Sequence, residues 1–232
     1  MHFGQYGEDA FLQAYFHAKA TDLHSGIPHH FSQNYLNKGF YIDVGAYSPK
    51  LFSNTYWFYK RGWRGINIDA TPRVMESFRG CRSRDINIEV AVSDKTGHQT
   101  FYSWDSPFPV NTFSPERAKH FSRVFNRQPQ QIEVETARLD QILDDYLPEG
   151  QEISFLSIDV EETDLAVLRS NNWQNYRPEL VLVENSANSP ENLINSDITC
   201  FMGQQGYKVY SWIRPTVVYR EPKHKDPLIP RI

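Results

Sequence analysis

Gly39-Phe-Tyr-Ile-Asp43-Val-Gly45-Ala46 is followed, after residues 47–64, by Gly65-Ile-Asn-Ile-Asp69. Each is a short apolar run that ends in an acid, and the first adds a glycine just past its acid. In an open α/β sheet a nucleoside is met by backbone at the end of the first strand. A carboxylate at the end of the second strand holds its ribose. The first loop lacks G-x-G-x-x-G, so a dinucleotide is not expected. S-adenosylmethionine fits better, because it has no pyrophosphate to cradle.

Working outward, the same alternation continues. Residues 8–19 place Phe11, Leu12, Tyr15 and Phe16 at helical spacing. Residues 21–34, with the paired His29 and His30, read as a loop. Ser53-Asn54-Thr55 offers a helix N-cap and Gly62 a helix stop. Thr71-Pro72 reads as the start of a further helix. Ile86–Val92 reads as one strand, and Gln99–Trp104 and Gln131–Thr136 as two more. These two flank a proline-rich aromatic insertion, 105–130, with Phe108, Phe113 and Phe121. It reads either as a substrate lid or as a small satellite core. Leu139–Leu147 and 163–171 read as helices, Ile153–Ile158 and Leu180–Val183 as buried strands. One helix is expected from Ser189-Pro190 to near Gly206, then a terminal hairpin, Tyr207–Trp212 and Thr216–Tyr219. All-apolar strands alternating with helices predict a largely parallel sheet covered on both faces.

The 232 residues suffice for one large domain, and 40% hydrophobic with 22% charged residues is ordinary for a globular protein. A net charge of −4 argues against nucleic-acid binding. Two cysteines, Cys81 and Cys200, exclude a disulfide framework and favour a reducing, cytoplasmic setting. No basic, apolar leader opens the chain, and no apolar run is long enough to span a bilayer.

Four predicted strands end in Asp43, Asp69, Asp159 and Glu184. Ligands of doubly wound sheets sit beyond those ends. Gly45 is read as a point of close backbone approach to the ligand. Asp69 is read as a ribose acceptor, with capping of the following helix as the bland alternative.

The chain resembles the FkbM-type methyltransferases. The matching stretches are Gln5-Tyr-Gly-Glu-Asp9, residues 39–46, Ser53-Asn-Thr55, Gly62 through Asp69, Ala91-Val-Ser93, Phe155-Leu-Ser-Ile-Asp-Val-Glu161 and Arg177-Pro178 through Glu184. The resemblance implies a class I methyltransferase fold, Rossmann-like and doubly wound, whose mostly parallel seven-stranded sheet has an antiparallel last strand. It implies a domain over 39–220 with the insertion 105–130, an N-terminal helix and loop (1–38) covering the cofactor site, and a polar tail from 221. It implies O-methylation of a hydroxyl on a small-molecule or glycan acceptor, with S-adenosylmethionine as methyl donor. By this resemblance Asp43, Gly45, Ala46, Ser53 and Asn54 fall around the first cofactor motif. Asp69 and Ala70 fall at the ribose, Ser93 and Asp94 near adenine, and Gln5, Glu8 and Asp9 over the methionine end. The family usually has glycine after Asp-Val-Glu and often glutamate two positions later. Here Glu162 and Asp164 stand there.

The acceptor hydroxyl must lose a proton. Asp159, Glu161 or Glu162 would serve as general base. Alternatively Asp159, Glu184 and Asn185 would hold Mg²⁺ as a Lewis acid, similar to catechol O-methyltransferase-like enzymes. Two rival functions stand beside these. A short-chain dehydrogenase would use Y-x-x-x-K, which occurs at Tyr15/Lys19 and Tyr56/Lys60. A scaffold would bind the cofactor without methyl transfer.

Overall fold

The computed structural model describes residues 2–21, 39–104, 110–224 and 226–228. His29, His30 and Phe108 lie outside the described residues. In chain order the elements are α1 (Glu8–Thr21), β1 (Phe40–Val44), α2 (Tyr56–Tyr59), β2 (Arg64–Asp69), α3 (Val74–Cys81), β3 (Ile86–Glu89), β4 (Ala91–Val92) and β5 (Gly97–Ser103). There follow α4 (Pro115–Phe125), β6 (Gln130–Ala137), α5 (Leu139–Tyr146), β7 (Phe155–Ile158), α6 (Asp164–Arg169) and β8 (Leu180–Glu184). The chain closes with α7 (Pro190–Ile194), α8 (Asp197–Gln204), β9 (Lys208–Ile213) and β10 (Thr216–Arg220).

The main sheet has seven strands in the order β3-β2-β1-β7-β8-β10-β9. The first five are mutually parallel, and β10 runs antiparallel to both β8 and β9. This is the doubly wound, Rossmann-like arrangement of class I methyltransferases. Strand alternation splits the apolar residues between two faces. On one face Phe40, Ile42, Val44, Ile66, Ile68, Val181 and Val183 pack with α5, α6 and α8. On the other, Tyr41, Phe155, Leu180 and Leu182 pack with Leu12, Tyr15 and Phe16 of α1 and Phe58 of α2. Phe155 meets Phe58 at 5.2 Å and Phe16 at 6.0 Å between ring centroids. Each such buried side chain contributes about 1.5–3 kcal/mol. Because β1, β2, β7 and β8 are parallel, Asp43, Asp69, Asp159 and Glu184 all emerge at one end of the sheet.

Three expectations are corrected. Ile86–Val92 is two strands, because β3 ends the main sheet whereas β4 pairs with β6 in a three-stranded sheet. The helix after β2 starts at Val74, since the Thr71 amide is held by Asp69 and Arg73 turns to φ 66°. The helix from Ser189 breaks at Asn195, because Ser196 acts as a second N-cap, accepting from the Thr199 amide. Among the described residues no helix is long and apolar enough to cross a membrane. Both cysteines are free and exposed.

Candidate active site

A cavity of about 690 Å³ opens beyond the carboxyl ends of β1, β2, β7 and β8. That lies within the range typical of small-molecule sites. Among the described residues seven carboxylates line it, those of Asp43, Asp69, Asp159, Glu161, Glu162, Asp164 and Glu184, against one arginine, Arg117. Gln5, Gly45, Ala46, Asn54 and Ala70 also line it. The walls carry two aromatic pairs, Tyr47 with Phe52 (stacked at 6.4 Å) and Phe101 with Phe113 (4.7 Å).

Gly45 has φ +80°, and a β-carbon there would lie 1.8 Å from the Asp159 carbonyl oxygen. Its amide and that of Ala46 both donate to the Ile68 carbonyl. Glycine is therefore needed so that the turns after β1 and β7 can touch, and its backbone also lines the cavity. Asp69 is buried and accepts from the Thr71 amide (2.7 Å) and the Tyr47 amide (2.8 Å). Burial raises its pKa, and these two bonds together with one from the Thr71 side chain oppose the shift. Asp43 is buried and pushed up to about 6 by desolvation, with a bond from the Thr55 hydroxyl (2.7 Å) pulling the other way.

Asp159 faces the open cavity yet is surrounded by protein. That burial, then the charge of Glu184, raises its pKa well above the carboxylate range. Glu184 is pushed to about 7, by desolvation first and then by Glu161 and Asp164. Glu161 is raised by burial although Arg117 opposes the shift. Arg117 Nη2 lies 2.6 Å from Glu161 and Nη1 lies 3.6 Å from Glu162. Both glutamates sit in left-handed backbone, φ 56° and 73°, so Glu162 occupies a conformation that favours glycine. Asp164 is buried, accepts from the Val160 amide, and is pushed to about 6 by desolvation.

Several expected residues stand elsewhere. Ser53 accepts from the Tyr56 amide (3.1 Å) and caps α2 from behind the cavity wall. Ser93 bonds the Ala137 carbonyl and the Asp94 carbonyl accepts from Arg138, because β4 has joined the small sheet. Neither lines the cavity. Glu8 is buried, accepting from the Tyr6 amide and the Thr216 hydroxyl. It borders only a narrow annex of about 20 Å³ shared with Gln5, Asn54 and Asp159. Asp9 is buried and accepts from the Phe3 amide.

The metal expectation is not supported. The Asn185 amide donates to Ser196 (2.8 Å) and its oxygen accepts from the Ala187 amide (3.0 Å). Among the described residues no group of three His, Cys, Asp or Glu side chains is placed to hold an ion. The Y-x-x-x-K pairs are structural. Tyr15 and Lys19 both bond Glu179, which precedes β8, at the opposite end of the sheet. Tyr56 stacks on Tyr59 and Lys60 stands over the Phe3 ring.

Sequence reasoning missed Arg117, Asn111, Tyr47 and Phe52. The signal for Arg117 was legible: Ser114-Pro115-Glu116 starts a helix, with Ser114 accepting from the Arg117 amide. From the insertion, Asn111, Phe113 and Arg117 line the cavity beside Phe101 of β5, while Val110 and Ala118 pack with Trp104. A second cavity, about 910 Å³, lies at the other end of the strands and includes Lys19, Gly39 and Glu179.

The family profile described as methyltransferase FkbM domain matches residues 43–209. A search of curated proteins finds none that matches. Among solved structures, the chain is similar to the methyltransferase FkbM from Methylobacillus flagellatus KT, at 13% identity and a TM-score of 0.48, over 79% of this chain and 44% of that one. This chain thus spans less than half the length of that protein. It is also similar to a TehB-like SAM-dependent methyltransferase from Corynebacterium glutamicum ATCC 13032, at 9% identity and a TM-score of 0.37, over 93% of this chain and 96% of that one.

Proposed function

The chain belongs to the FkbM methyltransferase family, and from that premise we propose that it is an S-adenosylmethionine-dependent O-methyltransferase acting on a hydroxyl of a carbohydrate or glycan precursor. The observation that carries this reading is the charge of the cavity: among the described residues, seven carboxylates against one arginine that already pairs with two of them. Such a site attracts a cation. The donor has a sulfonium and an ammonium against a single carboxylate.

The residues present fit that guest. The Asn54 oxygen is buried without a donor, and among the described residues no donor reaches Asp43 Oδ1. Both suit an ammonium. Asp69 would hold a ribose hydroxyl, beside Ala70. The aromatic pairs offer faces for adenine or for a sugar ring.

When bound, the donor supplies an electrophilic methyl on positively charged sulfur. The chain's own work is to orient the hydroxyl and to take its proton. Asp159 and Glu184 are placed for the latter: they are adjacent strand ends, open to the cavity, with proton affinities raised toward neutrality. Glu161 is engaged by Arg117 and is the lesser base; Glu162 is held at the rim by the same arginine.

The test is calorimetric titration with S-adenosylmethionine and, as control, NADH. It is followed by transfer of labelled methyl to neutral, amino and nucleotide-linked sugars. Binding of the first compound alone, with label appearing in an acceptor, supports the reading. No binding sinks it, and binding without transfer to any acceptor favours a cofactor-binding scaffold.

A further inference from the structure

Arg82, at the end of α3, is fully buried. Its Nε donates to Asp85 Oδ2 at 2.8 Å, and Nη1 to the Pro49 carbonyl at 3.1 Å. Its Nη2 reaches the Tyr41 hydroxyl (2.8 Å), the Thr55 hydroxyl (3.0 Å) and Asn67 Oδ1 (3.3 Å). The contact to Thr55 fixes the direction of a hydroxyl. Arginine can only donate, so the Thr55 oxygen must accept from it. The one Thr55 proton is then directed to Asp43 Oδ2, 2.7 Å away. The neighbouring Ser53 hydroxyl, 3.1 Å from Thr55, completes the set by donating.

We propose that Thr55 and Arg82 form a buried relay that positions the Asp43 carboxylate, with Oδ2 tied down and Oδ1 presented to a cationic amino group of the cavity's ligand. The inference rests on the reading of the cavity as an S-adenosylmethionine site. Thr55 is fully buried and does not line the cavity, so it acts only through Asp43, as a positioning residue. The groups facing Asp43 are Arg82 just after α3, Asp69 from β2, Asp85 ahead of β3 and Asp159 just after β7. Burial and the charges of Asp69 and Asp85 disfavour its charge; Thr55 and Arg82 favour it. The relay therefore decides whether Asp43 is an anion when the ligand arrives.

Thr55→Val keeps the shape and removes the hydroxyl, and Thr55→Ser keeps the hydroxyl. S-adenosylmethionine and 5′-methylthioadenosine, which lacks the amino-acid portion, are titrated into wild type and both variants between about pH 5.5 and 8. In Thr55→Val the midpoint at which S-adenosylmethionine affinity falls should move up by about one pH unit, a tenfold loss on the acid side. Methylthioadenosine affinity should stay unchanged, and Thr55→Ser should restore the wild-type profile. Equal losses for both ligands, or an unmoved midpoint, would overturn the relay while leaving the cofactor reading intact. A wild type that binds methylthioadenosine no more weakly than S-adenosylmethionine would overturn the assignment of the ammonium to Asp43. A wild type that binds neither would remove the underlying reading.

Discussion

Arg117 and Glu161 are joined at 2.6 Å, tying α4 of the insertion to the turn that follows β7. That turn carries the strand-end acid Asp159 on one side and the left-handed Glu161 and Glu162 on the other. The ion pair is partly exposed, so its Coulomb energy is modest. Its consequence is geometric: the insertion closes over the carboxylates instead of standing apart from them.

Glu162→Gly should stabilise the protein. A non-glycine residue at φ 73° costs about 1–2 kcal/mol. Glycine there forfeits only the half-exposed approach of Glu162 to Arg117, at 3.6 Å. Glycine's extra unfolded-state freedom offsets part of the gain, leaving roughly 0.5–1 kcal/mol. Denaturant melts read this directly, and a lower midpoint would mean that the ion pair with Arg117 outweighs the strain.

Gly45→Ala should be far more damaging. The added carbon would meet backbone at 1.8 Å, which no side-chain rotation relieves. The turns after β1 and β7 must then separate, at a cost of about 3 kcal/mol or more. Cofactor affinity should fall with stability, and a variant that melts like wild type would contradict the contact.

Stability of the unliganded protein should fall as pH rises from about 5 to 7.5. Glu184 is raised to about 7, and Asp43 and Asp164 to about 6. A carboxyl whose folded pKa exceeds its unfolded value contributes fully below the unfolded value and loses that contribution as pH rises through the folded one. A cationic ligand reverses the trend, so the thermal shift given by S-adenosylmethionine should grow over the same interval. Glu184→Gln should flatten the unliganded slope; an unchanged slope would remove Glu184 as its source.

Asp159→Asn and Asp69→Asn should separate chemistry from binding. The first removes a proton acceptor and should depress turnover about a hundredfold or more with cofactor affinity little changed. The second disturbs the acceptor for two backbone amides and the expected ribose contact, and should weaken affinity first. Calorimetry beside single-turnover rates distinguishes them, and wild-type turnover in Asp159→Asn would take that residue out of the mechanism.

Strand ends were legible because a buried parallel strand is mainly apolar, so the first acid after Ile68, Ile158 or Val183 marks where it ends. Asp43 lies inside β1, buried and bonded by Thr55. Boundaries failed where one pattern served two elements: Ile86–Val92 alternates evenly, and nothing local shows that β4 changes sheets. Ser93 and Asp94, which follow β4, stand with the small sheet outside the cavity lining. The Glu162 departure was visible as a residue type, but its left-handed backbone was not.

The sequence by itself determined the parallel sheet, the four acids at one end of it and the family, because periodicity and strand-end chemistry are local properties. Only the tertiary structure decided which of those acids are tied and which are open. The Gly45–Asp159 contact, the Arg117 bridge and the Arg82–Thr55–Asp43 chain each join residues from separate elements. Their geometry, and the burial that shifts their proton affinities, exist only once the sheet and its crossovers have packed.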